Sequence, residues 1–562
     1  MSSKWQRVRA AAVVLTALGV AGVGASSARA QVNIVACNAQ QIYDSGLSPG
    51  CGDSFGNCTI NEIIICDQVI CGSACTYDFE DRPLFLQGSY GRFQVNAFSS
   101  PPPSLTVISE QIMTGSGTTI VRFTSQGGGS GISLVSTGFD GAGISVIGRI
   151  INTGSTAGNV SVNGGPGGGA SVGFINVDAT AAGAKGGNVT IYGNDFANSN
   201  GAIQASGPGG GGKITIRSGN DITLAGSGSI LAQSTGSGFA AGEIVVESFG
   251  YDFPPTITVD KKLAADVPGS TVAANAGAID IGPASGDGSE LTVNIDAALV
   301  VGTGASQTLA GNVTIKGETI TMSTGGSIDA TAGSTTKHTT TGGTVTITSE
   351  VGGAITLDDI EARGQNGGSV HVRSDGPITL NKDVSVASNH DTGIVPGGRG
   401  GVIVVRSWTL GPATDTWDCQ IPLDPCIRVK PEVVPANCTA SVVQINDDLL
   451  AHGLGAAGIG GVITLEAPIV RMRNGTGQKK LQANATSADD GVTTGTGGRI
   501  RARARSSMFV AQNAAGTVQH KGRALPDDGL ATEIAGTLPL GGLFNPGYVL
   551  LSGIGYNSCP TP

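Results

Sequence analysis

One line of sequence returns eleven times between Gly158 and Arg505: a glycine followed by apolar residues at the second and fourth positions. Of these twenty-two positions, twenty are Val or Ile, one is Leu and one is Ala. The residues between them are mostly polar, so the pattern has a period of two and predicts β-strands with one buried face. Intervals between these anchor glycines are 25 to 37 residues, with one of 60, and the glycines are Gly158, Gly187, Gly212, Gly242, Gly277, Gly311, Gly343, Gly368, Gly401, Gly461 and Gly498.

Each repeat also contains shorter apolar segments between glycine-rich turns, as in "DITLAGSGSILA" after Asn220. The repeat therefore predicts about three short strands per unit, with glycine supplying the positive φ that tight turns require. Such strands cannot bury their inner faces alone, so the period indicates a solenoid whose coils stack about 4.8 Å apart. Eleven coils would stand roughly 50 Å tall. A β-propeller is the alternative, although its blades need about four strands and forty or more residues.

The lines "GGTVTITSEVGGAITL" and "GGSVHVRSDGPITL" resemble the right-handed parallel β-helix proteins, the pectin-lyase-like and filamentous-haemagglutinin-like group. The resemblance covers roughly residues 158–505. It implies an all-β fold class: a right-handed parallel β-helix solenoid of about eleven or more coils. The position of the cysteine cluster before the repeats adds a cysteine-rich N-terminal cap. It says little about activity, because this fold hosts polysaccharide lyases and hydrolases, phage tail spikes and adhesins alike.

The N-terminus has the features of an export leader. Basic residues precede an apolar stretch from Ala10 to Gly24, and Ala28-Arg29-Ala30 is a small-x-small cleavage site. We predict a signal peptide at 1–30, a cysteine-rich cap at 31–82, the parallel β-helix at 83–505 and a C-terminal cap or tail at 506–562. Removing the leader leaves 28 Lys and Arg against 42 Asp and Glu, a net charge of −14.

No segment after the leader is apolar enough to span a membrane, so we expect an exported protein without a transmembrane segment. The leader suits a Gram-negative-type bacterium, with the protein in the periplasm, on the cell surface or in the medium.

Ten cysteines indicate an oxidising compartment. Six lie in the predicted cap, where they can pair among themselves in fifteen ways. The isolated Cys559 either folds back to the three cysteines in the middle of the chain or remains a free thiol. Zinc is the rival interpretation, but neither cluster has a nearby His or paired C-x₂-C spacing, so we expect no metal and no cofactor. The disulfide candidates are Cys37, Cys51, Cys58, Cys66, Cys71, Cys75, Cys419, Cys426, Cys438 and Cys559.

The 60-residue interval contains an insertion at residues 407–440, which carries both tryptophans of the mature chain, Trp408 and Trp417. Long loops with aromatic and charged residues on rigid scaffolds often bind ligands. Trp rings can stack on sugar faces, while Arg428 and Lys430 can contact an acidic polymer. The alternative is a disulfide-bonded loop that only covers one side of the solenoid.

Four arginines alternate with small or apolar residues just after the last anchor glycine. A period of two places them on one face of a strand at about 6.7 Å intervals. Between Gly461 and Arg523, ten basic residues oppose three acidic ones. Two interpretations remain open: a dock for acidic polysaccharide or lipopolysaccharide, or ion pairs with acidic loops on neighbouring coils. This arginine strip consists of Arg499, Arg501, Arg503 and Arg505.

The catalytic signatures that the resemblance implies are incomplete. Lyases of this group imply acidic residues gathered for Ca²⁺ and an arginine base, and the hydrolases imply spaced Asp residues with Gly-His-Gly and Arg-x-Lys. Here Asn446-Asp447-Asp448 is followed by Ala451-His452-Gly453, so Ala replaces the first Gly. Arg428-Val429-Lys430 comes before the acids rather than after them. We interpret these fragments as coincidence.

The function expected is that of an exported, non-catalytic structural or adhesive β-helix protein, which binds anionic envelope or matrix polysaccharide and no nucleic acid. Its oligomeric state stays open. Binding candidates are Arg499, Arg501, Arg503, Arg505, Trp408, Trp417, Arg428 and Lys430. The alternative is a secreted polysaccharide lyase or glycoside hydrolase with a site beside the 407–440 insertion. Its catalytic residues would then be sought at Asp415, Asp418, Asp447, Asp448 and Arg428.

Overall fold

The structure is a computed structural model, and a large part of the chain is described by it. The described residues are 33–46, 51, 57–87, 91–96, 103–114, 130–139, 143–250, 254–268, 274–284, 290–304, 309–333, 340–349, 353–388, 398–407, 416–418, 427–429, 442–453, 458–472, 480–483, 498–510, 517–519 and 548–553. The predicted leader, Trp408, Lys430 and the four cysteines from Cys419 onward lie outside these ranges.

The glycine-anchored line forms the first strand of each coil, and these strands stack in parallel as sheet 1. The register pairs the second residue after one anchor with the second residue after the next, as in Val345 with Val370 and Val370 with Ile403. Within the described chain, sheet 1 contains Ala74–Asp78, Ser104–Ser109, Ile132–Ser136, Val160–Asn163, Val189–Gly193, Lys213–Ser218, Glu243–Ser248, Ala278–Pro283, Asn312–Lys316, Thr344–Ser349, Ser369–Ser374, Val402–Ser407, Tyr548–Gly553 and the first halves of Val462–Met472 and Arg499–Val510.

The two shorter segments of each repeat form two further parallel ladders. Sheet 2 contains Cys58–Ile60, Leu84–Leu86, Ile112–Thr114, Phe196–Ser199, Asp221–Leu224, Thr256–Val259, Thr292–Ile295, Thr319–Met322, Ile355–Leu357, Ile378–Leu380, Val442–Ile445 and the second halves of Val462–Met472 and Arg499–Val510. Sheet 3 contains Ile203–Gln204, Ile230–Leu231, Leu263–Ala264, Ala298–Val300, Ser327–Asp329, Asp359–Glu361, Val384–Ser385, Leu449–Leu450, Lys480–Gln482 and Thr517–Gln519. Ile144–Ile151 and Ala170–Asn176 each pass from sheet 2 into sheet 3.

The three sheets enclose a single apolar core of stacked branched side chains. Val160, Val189 and Ile214 begin one column that continues through every anchored strand to Ile500, and these side chains are at most 1% exposed. The fold-class prediction is confirmed: the chain is all-β, with long parallel sheets stacked as a β-helix type solenoid. Three strands per coil follow as the alternation predicted, because each sheet buries the inward half of its residues.

Each coil is closed by the backbone of the anchor glycine that follows it. From Gly187 to Gly498, ten anchor N–H groups donate to a carbonyl just beyond the third strand of the preceding repeat, at 2.6–2.9 Å. Gly368, for example, donates to the carbonyl of Ala362. The anchor carbonyl in turn accepts from the next coil, as when the Val402 N–H donates to Gly368 at 3.0 Å. One residue therefore bonds both around the coil and along the stack.

Glycine is required at the anchor because the coils approach too closely there for a side chain. A Cβ added to any anchor from Gly187 to Gly498 would lie closer than 3.0 Å to the carbonyl oxygen of the preceding anchor. None of these anchors has positive φ, so the requirement is one of space. Positive φ occurs instead at turn glycines such as Gly165, Gly183 and Gly226, as the sequence predicted for the turns.

Three disulfides hold the N-terminal end of the solenoid. They are Cys37–Cys71, Cys51–Cys58 and Cys66–Cys75, so the six cysteines of the first cluster pair among themselves. Cys58 and Cys75 lie in the first strands of sheets 2 and 1, which places these bridges directly on the first coil. A separate parallel sheet of Asn33–Val35, Ile63–Asp67 and Arg92–Asn96 lies in the same region.

Two short helices, Ala39–Asp44 and Gln68–Cys71, accompany the disulfides. Asn38 caps the first by accepting from the Gln41 N–H at 3.0 Å, and its Ile42 is fully buried in the core. The Tyr77 ring is also buried and its hydroxyl donates to the Ala36 carbonyl at 2.6 Å. Among the residues that the structure covers, neither helix is long or apolar enough to cross a bilayer.

We predict that Gly277→Ala strongly destabilises the solenoid. The new methyl group would meet backbone atoms of the coil below, which cannot rotate away, and overpacking of this kind costs about 1–3 kcal/mol. The midpoint of urea unfolding measures the effect. Gly131→Ala is the matched control, because a Cβ there has no atom within 4 Å. Equal midpoints for the two variants would contradict the close-approach explanation.

Candidate functional site

The arginine strip lies on the last coils of sheet 1. In register, Arg499 pairs with Val462, Arg501 with Thr464 and Arg503 with Glu466. The register then shifts between Ala467 and Ile469, and Arg505 falls within this shift. Three of the four arginines thus occupy alternate positions of one regular strand, while Arg505 sits where the chain passes from sheet 1 to sheet 2.

A column of cations on the earlier coils leads up to this strip. The fifth residue after each anchor stacks in register along the axis as Lys316, Thr348, Arg373, Arg406, Glu466 and Arg503. Lys316 and Arg373 are exposed, and the Arg406 side chain is 32% exposed. We call Lys316, Arg373, Arg406 and Arg503 the basic column. The sequence-based search missed its first three members, although counting five residues from each anchor would have found them.

One carboxylate interrupts the basic column. Glu466 is only 6% exposed, and its Oε2 lies 3.0 Å from Arg406 Nε. Its backbone stands in register between those of Arg406 and Arg503, and its charge offsets that of Arg406. Within the sheet 1 parts of the six strands from Asn312–Lys316 to Arg499–Val510, it is the only Asp or Glu, against six Lys and Arg. Ion pairing within these strands therefore leaves a large positive excess.

The lower coils of sheet 1 are balanced instead. Lys213 Nζ lies 2.8 Å from Glu243 Oε2, and Arg217 Nε lies 2.8 Å from Glu247 Oε2. Arg217 and Glu247 hold the same fifth position after their anchors as the basic column does. The same face of the solenoid is thus neutralised in one half and cationic in the other.

The insertion leaves the solenoid directly beside the basic column. It begins after Arg406 and Ser407, at the end of a sheet 1 strand, and the chain returns as the sheet 2 strand Val442–Ile445. Within it, Thr416–Asp418 pairs antiparallel with Ile427–Val429, which sets Trp417 opposite Arg428. These two binding candidates are therefore neighbours on one hairpin, whereas Trp408 and Lys430 lie outside the described residues.

A second cluster of charged side chains lies where sheet 2 turns into sheet 3. Carboxylate oxygens of Asp383, Asp447 and Asp448 all lie within 4.8 Å of one another. We call these three residues the acidic corner. Next to it, Lys382 Nζ lies 2.6 Å from Asp358 Oδ2, and Asp358 is 1% exposed. Asp447 and Asp448 come seven and eight residues after the insertion ends, and the solenoid stacks Asp448 on Asp383, which lies 65 positions earlier in the chain.

Crowding of like charges changes the protonation of the acidic corner. Burial and the charges of Asp447 and Asp448 raise the pKa of Asp383 from 3.8 to about 6. The Asp448 N–H donates to Asp383 Oδ1 at 3.1 Å, which opposes the shift without cancelling it. His452 does not join this group as a base, because burial and the Arg363 charge lower its pKa to about 4.

The acidic corner has a donor set that suits a hard cation. Three carboxylates offer up to six oxygen ligands, the donors that Ca²⁺ takes in proteins. One oxygen from each of the three carboxylates can therefore approach a single bound ion. The group of Cys66, Cys71 and Cys75 also converges, but all three sulfurs are used in disulfides.

Comparisons with known proteins add no identification. No protein-family model matches the sequence, and searches of curated proteins and of solved structures give no match. Function is therefore argued from the two clusters alone.

We predict that folding stability falls as the pH rises from about 4 to about 6. Asp383 keeps its proton in the folded chain up to about pH 6 but releases it near pH 4 when unfolded, so the folded state binds more protons between these values. Urea unfolding at half-unit pH steps measures the slope. Asp383→Asn should reduce the slope and stabilise the protein at pH 7, whereas Asp195→Asn, an exposed acid on another turn, should leave the slope intact. An unchanged slope in Asp383→Asn would contradict the assignment.

Proposed function

We propose that this chain is an exported, non-catalytic structural or adhesive protein that binds anionic envelope or matrix polysaccharide, including lipopolysaccharide. Its ligand surface is the cationic half of sheet 1, together with the hairpin that carries Trp417 and Arg428. Export to the periplasm, surface or medium of a Gram-negative-type bacterium is part of the proposal. The three disulfides support it, because such bonds persist in oxidising compartments.

The observation that carries the proposal is the regular spacing of the arginine strip. Arg499, Arg501 and Arg503 stand at alternate positions of a strand in register with one carboxylate. Like charges held this close repel one another, and a polyanion that releases counterions on binding would offset that repulsion. Guanidinium groups suit the carboxylate, sulfate or phosphate groups of such a polymer because they donate in a planar fork.

Replacing all four arginines of the strip by Ser should abolish retention on heparin at 0.1–0.2 M salt, where each lost contact weakens the salt-dependent attraction. Elution from a heparin column measures it.

The control removes four basic residues elsewhere: Arg149, Lys185, Lys213 and Arg217 to Ser. Net charge changes equally, so retention close to the parent would show that position matters. Loss of retention in both variants, or in neither, would contradict a dock at the strip.

The acidic corner favours a second candidate, a secreted polysaccharide lyase or glycoside hydrolase acting beside the insertion. Lyases of the group that the sequence resembles gather acidic residues for Ca²⁺, and Asp383, Asp447 and Asp448 converge here. These residues would hold the ion, which would supply charge stabilisation to an acidic substrate. Asp415 lies outside the described residues, and Asp418 lies on the hairpin strand Thr416–Asp418.

If this candidate is right, the mature protein will shorten at least one polysaccharide in a panel of acidic and neutral ones. A lyase leaves unsaturated chain ends, so ultraviolet absorbance will rise as that polysaccharide is shortened. Asp383→Asn should then lower the rate at least tenfold, and a chelator should do the same to the parent. Asp195→Asn serves as the control. No shortening of any polymer, with one of them still retained, would remove this candidate and support the binding protein.

A further inference from the structure

We infer that the polysaccharide lies lengthwise along the solenoid, on the basic column, and contacts Lys316, Arg373 and Arg406 as well as the arginine strip. This rests on the proposed function and specifies the orientation and length of its ligand. None of these three residues was part of the surface that the sequence suggested.

The stacking of the coils gives the column its direction and length. Lys316 and Arg503 are separated by five successive strand pairings, through Thr348, Arg373, Arg406 and Glu466. At about 4.8 Å per pairing the column spans roughly 24 Å parallel to the axis. The strip alone extends across the axis over only three alternate positions of one strand, about 13 Å. A linear polyanion along the axis therefore meets the four cations of the basic column over about 24 Å, whereas one lying across it meets three regularly spaced arginines over about 13 Å.

Between Lys316 and Arg406 the outward surface of sheet 1 carries no acidic side chain. Its outward positions are Thr314, Thr346, Thr348 and Ser369, all partly exposed, and they offer hydroxyl groups rather than charges. Burial and the Arg406 charge lower the pKa of His371, so near neutral pH its imidazole adds hydrogen-bonding capacity and no charge. Hydroxyl and imidazole groups between cations fit a polymer that carries both anionic groups and sugar hydroxyls.

Two features define the class and the limit of the ligand. The outward positions of these sheet 1 strands hold no Phe, Tyr or Trp on which bases could stack, which favours a polysaccharide over single-stranded nucleic acid. Below Lys316 the next strand carries Asp280, and the strands under it have their cations paired with Glu243 and Glu247. The binding track therefore ends near Lys316.

The test compares two double variants on the same sheet. Lys316→Ser with Arg373→Ser removes two column cations that form no ion pair with any residue the structure describes. Lys213→Ser with Arg217→Ser removes two cations that are already ion-paired. Binding of a sulfated dextran is measured against salt concentration. The first variant should lose affinity several-fold, with a log–log salt slope smaller by about two, because two phosphate-like contacts are gone. The second should match the parent in both quantities.

Ligand length supplies an independent readout. Sulfated oligosaccharides shorter than about 13 Å should bind the parent and the Lys316/Arg373 variant equally, whereas chains longer than about 24 Å should discriminate between them. Circular dichroism and urea midpoints confirm that the variants are folded. If the parent binds the polymer and both double variants bind it as well as the parent does, the lengthwise track is overturned and the proposed function still stands. A parent that retains no sulfated polymer would overturn both, and full displacement by duplex DNA at equal charge would overturn the choice of polysaccharide.

Discussion

The contact between successive anchor glycines is the constraint on which the rest of the solenoid depends. At this point the backbone of one coil touches the backbone of the next, with no room for a Cβ. The same residue donates to the end of the preceding coil and accepts from the start of the next one. Every coil therefore starts from the same place relative to the one below. The Val and Ile columns can stack only because this starting point is repeated. The register of the core strands therefore follows from the close contact between anchor glycines.

Because every coil starts from the same place, outward residues at equivalent positions of successive coils also line up. Any outward position, counted from the anchor, becomes a column with an axial repeat of about 4.8 Å. One arginine at the fifth position is an ordinary exposed residue, but several on stacked coils form a continuous electrostatic track. The lower coils show the other use of the same geometry, because Arg217 and Glu247 at that position form an ion pair across adjacent coils. When the fifth position of the next coil holds a carboxylate instead of a cation, the two residues form an ion pair, and that part of the surface is no longer cationic.

Sequence predicted the elements that depend on local periodicity. The alternation after each anchor fixed the strands and their mutual register, and the crowding of six cysteines anticipated bridges within one segment. The sequence analysis assigned glycine to turns that need positive φ, whereas the anchors need glycine because two coils approach closely there. Close approach is a property of two stacked coils, so the sequence of a single repeat does not display it. Asp383 could not be joined to Asp447 and Asp448 from spacing, because the insertion separates them along the chain and only stacking brings them together.

The two charged clusters make opposite demands on a ligand. Both belong to the same coils, since Arg373 and Asp383 lie in one repeat and Arg406 and Asp448 in the next. An anionic polymer attracted to sheet 1 would be repelled at the acidic corner, where burial and mutual repulsion already hold one carboxyl partly protonated. Catalysis there requires a cation that inverts the local charge before an acidic substrate can approach. Binding along sheet 1 requires nothing beyond the side chains already in place, which is the physical reason for preferring the non-catalytic protein.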